Sequence, residues 1–161
     1  MASASKTYGK IAELLFSAEA LKRGMIVSAP IEENHPYDYI VDNGRTLFKV
    51  QIKSAFSSCK PGRSSGRKHP SYEISLSRRV YKNKELSDWV GADEKCISGD
   101  YDVLAFYIAP EGAWYIIPFS APEIYNKHRL WLFDDNEGGH SRLTSDVERK
   151  YRENWGLFRL T

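Results

Sequence analysis

The chain has 161 residues, 42% hydrophobic and 13% aromatic, so it can bury a real core and is no disordered segment. A formal net charge of +2 does not by itself mark a nucleic-acid binder, and two distant cysteines, Cys59 and Cys96, exclude a disulfide framework and offer no zinc spacing. With no signal-peptide core in MASASKTYGK and no apolar run near the ~20 residues of a membrane span, one soluble cytoplasmic domain over residues 1–161 is expected.

In chain order, the periodicity predicts an amphipathic helix over 9–23. Its stripe of Ile11, Leu14, Leu15, Ala18 and Leu21 is expected to face the core, and Gly24 ends it. Met25-Ile26-Val27 reads as a short buried strand, followed by a turn-rich connection over 30–36. Tyr39-Ile40-Val41 reads as a second strand closed by Asp42-Asn43-Gly44, a hairpin signal because Asn and Gly accept the positive φ of tight turns. Residues 46–55 form the clearest strand: Phe48, Val50 and Ile52 share one face, and Leu47, Lys49, Gln51 and Lys53 share the other.

A polar stretch over 57–70 precedes a fourth alternating strand at 72–76, and 81–90 reads as a short helix. The continuous apolar run 103–109 is typical of a central strand buried on both faces, with Glu111-Gly112 turning it into a partner at 114–119. Two capping boxes, Ser120 with Glu123 and Ser145 with Glu148, predict helices over 121–129 and 146–154. Tyr151, Trp155 and Phe158, spaced by four and three, read as a helical docking stripe for the protein's own core or another subunit. No repeat, heptad array or linker interrupts the chain, and the element order implies an α/β (α+β) domain.

The near-neutral total hides a local field. Residues 60–84 hold eight basic side chains (Lys60, Arg63, Arg67, Lys68, Arg78, Arg79, Lys82, Lys84) against one acid, Glu73. From Glu85 to Asp102 the balance reverses, with six acids against Lys95. Charge runs are mostly solvated loops, but an adaptable Ser-, Gly- and Pro-rich excursion near 57–84 suits contact with phosphate or guanine through Lys60, Arg63, Arg67, Lys68, Arg78, Arg79 and Lys82. The histidines His35, His69, His128 and His140 show no ligand spacing.

The constellation that carries chemistry is Pro36-Tyr37-Asp38 followed by Gln51-Ile52-Lys53. Hairpin pairing brings Asp38 to Gln51, and the two-residue period aims Gln51 and Lys53 the same way. A carboxylate, an amide oxygen and an ammonium group are parts for phosphodiester hydrolysis: oxygen ligands for Mg2+, and a lysine beside the attacking water. On the strand alone, a merely wet face is the more frequent meaning of such alternation.

These residues resemble the PD-(D/E)XK nuclease superfamily, with PYD at 36–38 and QIK at 51–53 in the places of PD and (D/E)XK. Within it the chain is similar to group I intron-encoded homing endonucleases, through GKIAELLFSAEALKRG, PYDYIVDNG, LFKVQIKSA, YDVLAFYI and AWYIIP. Members of that group also carry Gln at the (D/E) position. The resemblance implies a restriction-endonuclease-like core, a mixed central sheet flanked by helices. It implies Asp38, Gln51 and Lys53 as catalytic residues, with Glu13 added as the family's helical glutamate. It further implies Mg2+ (with Mn2+ substituting) held by Glu13, Asp38 and Gln51, double-stranded DNA as substrate, and a homo-oligomer, dimer or tetramer, with no membrane or organic cofactor. A resolvase or repair-type nuclease that reads DNA shape, and an inactive DNA-binding or assembly module, stay open as alternatives.

Overall fold

The computed structural model describes residues 4–31, 35–57, 71–81, 91–95, 99–125, 127–133 and 142–159. The first helix, α1 (Ala4–Lys22), starts five residues before the expected position and turns its other face to the core. Ala12, Phe16 and Ala20 are fully buried, whereas Ile11 (38% exposed), Leu14 (60%), Leu15 (39%) and Leu21 (59%) face outward, with Ala18 exposed beside them. The expected core stripe is therefore the outer one. The physical reason is close approach: two alanines let the helix axis settle near the sheet, and Phe16 fills the remaining space. Its ring lies 5.4–6.3 Å from those of Trp155, Trp114, Tyr39 and Phe158. Burying that one ring is worth about 2–3 kcal/mol.

The strands follow as β1 (Ile26–Ser28), β2 (Tyr39–Asp42), β3 (Leu47–Ala55), β4 (Ser71–Ser75), β5 (Ser77–Tyr81), β6 (Gly91–Lys95), β7 (Val103–Ile108), β8 (Ala113–Pro118) and β9 (Arg129–Phe133), with α2 (Arg142–Tyr151) after them. The main sheet has the order β1-β2-β3-β7-β8. β3 and β7 run parallel at its centre, and the other pairs are antiparallel. β1 is an exposed edge, with Met25 buried but Ile26 63% exposed, and so differs from the buried strand expected there.

Alternation along β7 and β8 sorts the core into two layers. Val103, Ala105, Trp114 and Ile116 join α1 on one face, and Leu104, Phe106, Ile108, Tyr115 and Ile117 join Ile74, Leu130, Leu132 and Val147 on the other. A ribbon of β4 and β9 supplies that second layer. β9 and a single turn at residues 122–125 stand where a helix over 121–129 was expected. Glu123 folds inward, away from any capping role, and Leu130 and Leu132 alternate into the core. β5 and β6, which the pattern did not suggest, pair with Arg78 opposite Glu94 and Arg79 opposite Asp93. The helix expected over 81–90 lies outside the described residues except for Tyr81, which ends β5.

α2 begins and ends about a turn earlier than the Ser145 box predicts. The chain then breaks at Glu153 (φ 51), a left-handed residue held by its own partners. Its N–H donates to the Trp114 carbonyl at 2.7 Å, and its carboxylate accepts from the Trp114 N–H and Trp155 Nε1. The break splits the expected stripe. Tyr151 joins the far layer, and Trp155 and Phe158 join the α1 layer, so both docking sites are on the protein's own core. No described helix is long and apolar enough to cross a membrane.

Candidate active site

The β2–β3 hairpin forms where expected, with Asp42 facing Leu47 and Gly44 at φ 86 in the turn. Its register sets Tyr39 opposite Val50, which leaves Asp38, one step before the strand, beside Gln51. The Asp38 N–H donates to the Val50 carbonyl at 2.9 Å and anchors the backbone there. Its Oδ2 accepts from the Ile52 N–H at 2.6 Å and from Gln51 Nε2 at 2.5 Å. Gln51 Nε2 also donates to the Ile52 carbonyl at 3.2 Å, which fixes the amide and makes Oε1 the ligand-capable atom.

Lys53 follows on the same face of β3, and its ammonium group acts electrostatically on Asp38. Among the described residues, Lys53 forms no ion pair. Burial pushes the Asp38 carboxyl up to about 6. The Ile52 N–H opposes that rise, Glu13 adds to it by repulsion, and Lys53 and Lys10 offset part of it. A half-buried carboxylate so weakly neutralised could hold a cation.

Glu13 comes within electrostatic range of Asp38 from α1, but its carboxylate is engaged by Lys10 at 2.7 Å. Among the described residues no group of three His, Cys, Asp or Glu side chains converges on one point. The oxygen groups brought into contact are the Asp38 carboxylate and the Gln51 amide, while Glu13 is linked to Asp38 only by electrostatic repulsion. Lys49, on the same strand face, is otherwise occupied: its Nζ donates to the Gly99 carbonyl and its N–H to Asp102 Oδ2. Asp102 in turn donates its N–H to the Lys49 carbonyl, clamping the start of β7 to β3 beneath the site.

An open cleft of about 640 Å³ is lined by Asp38, Gln51, Lys53 and, from α1 and the end of β3, Tyr8, Gly9 and Phe56, and Glu13 is not part of that lining. Ser5, Ser54 and Ser57 add hydroxyls to it. Tyr8 stacks on Phe56 with ring centroids 4.5 Å apart, tying the start of α1 to β3. The sequence pattern missed Ser5, Tyr8, Gly9, Lys10 and Phe56, because nothing in local spacing says that the first turns of α1 overhang this strand end. Gly9 is expected as the first residue of the helix; with α1 starting at Ala4 it lies inside, where a glycine costs about 1 kcal/mol relative to alanine.

Of the expected DNA-contacting residues, Lys60, Arg63, Arg67, Lys68 and Lys82 lie outside the described residues. Arg78 and Arg79 lie in β5, so the expected excursion near 57–84 includes two strands. The pairing of β5 with the acidic strand β6 joins the two oppositely charged stretches.

A search of curated proteins gives no match. The solved structure of the bacterial homing endonuclease I-Ssp6803I is similar, with a TM-score of 0.70 and 23% identity over 98% of this chain and 95% of that one. It shares the restriction-endonuclease-like α+β fold, with its mixed sheet flanked by helices. The family model for the PD-(D/E)XK endonucleases matches residues 3–146. The chain belongs to the PD-(D/E)XK endonuclease family.

Proposed function

We propose that the protein is a divalent-metal-dependent endonuclease that cuts double-stranded DNA at specific sites, with Mg2+ as its ion and Mn2+ able to replace it. The observation that carries this reading is the convergence of Asp38, Gln51 and Lys53 in one open cleft around an incompletely neutralised carboxylate. Asp38, Gln51 through Oε1, and Glu13 would hold the ion, a hard cation that prefers oxygen. When bound, it supplies Lewis-acid stabilisation of the phosphoryl oxygens and a more acidic water.

The chain's own groups do the rest. With its carboxyl pushed up to about 6 by burial, Asp38 is mostly ionised at neutral pH. Lys53 orients the attacking water and offsets the negative charge that builds on the phosphate. Asp102 and the Ile52 N–H keep the strand end still, which preserves the geometry on which such catalysis depends. The basic residues Lys60, Arg63, Arg67, Lys68, Arg78, Arg79 and Lys82 would contact DNA backbone and bases.

Two subunits acting together fit this reading, because a small domain doubles its contact surface by pairing. The outer stripe of α1 supports it: Ile11, Leu14, Ala18 and Leu21 recur at spacings of three, four and three on an exposed face, the spacing by which helices interlock. Sedimentation of Leu14→Glu against the wild type tests that surface, with a fall to monomer expected and an unchanged assembly contradicting it.

The functional test is Mg2+-dependent cleavage of a randomised duplex library, with a four-way junction as parallel substrate. Cutting at one long recurrent duplex site is the expected result. Cleavage of the junction alone would replace this reading with a shape-directed resolvase, and tight salt-sensitive binding without cleavage would replace it with a binding module.

A further inference from the structure

Gly9 stands well inside α1 with helical backbone, so no turn or positive φ requires it there. It is half-buried and lies one turn before Ala12 and two before Phe16 on the side of α1 that faces the protein. Yet a Cβ built at Gly9 would meet no atom within 4 Å outside its own stretch of helix. Close packing does not explain the glycine either. The space in front of it is the catalytic cleft, whose wall it forms with Tyr8, Ser5 and, across the gap, Lys53, Ser54 and Ser57.

We infer that Gly9 is kept free of a side chain so that the sugar–phosphate backbone next to the scissile bond can pass between α1 and the end of β3. This rests on the nuclease reading above and names where that substrate runs. The lining suits such a guest: three serine hydroxyls can donate to phosphate oxygens, Lys53 supplies positive charge, and the exposed Tyr8 ring offers an apolar edge to a deoxyribose. The Tyr8–Phe56 stack fixes the width of the gap, since it spans the same two elements. Gly9 is thus a clearance residue, and it touches no reacting group.

The test is a graded series, Gly9→Ala and Gly9→Leu, each read in three ways: thermal unfolding, Mg2+ binding by calorimetry, and steady-state cleavage of duplex DNA. Because alanine and leucine are better helix formers, the melting temperature should rise by about 2–4 °C for alanine. Mg2+ affinity should stay within twofold of wild type for both. KM for DNA should rise about tenfold for alanine, and cleavage should be lost for leucine. Wild-type cleavage by Gly9→Leu would overturn the inference, as would a fall in melting temperature in both variants, which would make the glycine structural. Loss of Mg2+ binding together with cleavage would also overturn it, by placing the effect on the metal ligands. A wild-type protein that cuts no DNA would instead break the nuclease reading, a failure distinct from all three.

Discussion

Two acidic side chains are drawn into this fold and treated in opposite ways. Glu123 is 6% exposed; burial pulls its pKa up, but hydrogen bonds from Lys150, its own backbone and Tyr151 hold it below the usual carboxylate range. At Asp38 burial pushes the carboxyl up to about 6, the Ile52 N–H opposes the rise and Glu13 adds repulsion, with both donors on one oxygen. The first site is complete in the protein alone. Under the proposed reading a cation from outside would complete the second, and that difference would separate a structural carboxylate from a functional one.

The largest expected effect is catalytic. Lys53→Ala should lower kcat on duplex DNA by at least about 10³-fold, roughly 4 kcal/mol of transition-state stabilisation, with little change in melting temperature. Comparable activity in the mutant would remove the contrast between the two sites. Next comes Glu123→Ala, which leaves the Tyr151 hydroxyl and the half-exposed Lys150 without their acceptor. It should destabilise the fold by about 2 kcal/mol, measured by urea unfolding, while Mg2+ affinity stays unchanged.

Smaller, and opposite in sign, is Asp38→Asn. Since the folded pKa is raised, the charged form of Asp38 opposes folding, and in metal-free protein its contribution to stability falls as pH rises from about 4 through 6. Asn keeps an acceptor for the Ile52 N–H and removes the charge. The variant should therefore be more stable at pH 7 by about 1–2 kcal/mol, and inactive. Glu123 behaves inversely, its lowered pKa giving stability above the carboxylate range that is lost as pH falls. The smallest effect is on metal titration: Mg2+ affinity should weaken as pH drops below 6, because protons compete for Asp38. Affinity independent of pH between 5 and 7 would place the ion elsewhere.

Much of the Asp38–Gln51–Lys53 arrangement was legible because its information is local. The β2–β3 turn, the alternation of Gln51 and Lys53, and the step that sets Asp38 beside them all follow from hairpin geometry. α1 was legible as a helix, but its docking face was read in reverse. Periodicity counts apolar residues and cannot see that Ala12 and Ala20 allow a closer approach than Leu14 and Leu21. The Ser120–Glu123 capping box failed for a related reason: Glu123 finds Lys150 and Tyr151, 27 and 28 residues away, and non-local partners override a local cap. Gly9 and Tyr8 belong to the cleft only through the placement of α1 over β3, a tertiary fact that no spacing along the chain encodes.

The central claim is that a divalent cation completes the Asp38 site, and thermal unfolding of wild type and Asp38→Asn with and without 10 mM Mg2+ tests it most directly. For a site of about 1 mM affinity, the ion should stabilise the wild type by about 1.4 kcal/mol, a rise of about 3–5 °C. Asp38→Asn should start higher and gain nothing. An equal rise in both proteins would contradict the account, because the cation would then be bound somewhere other than beside Asp38.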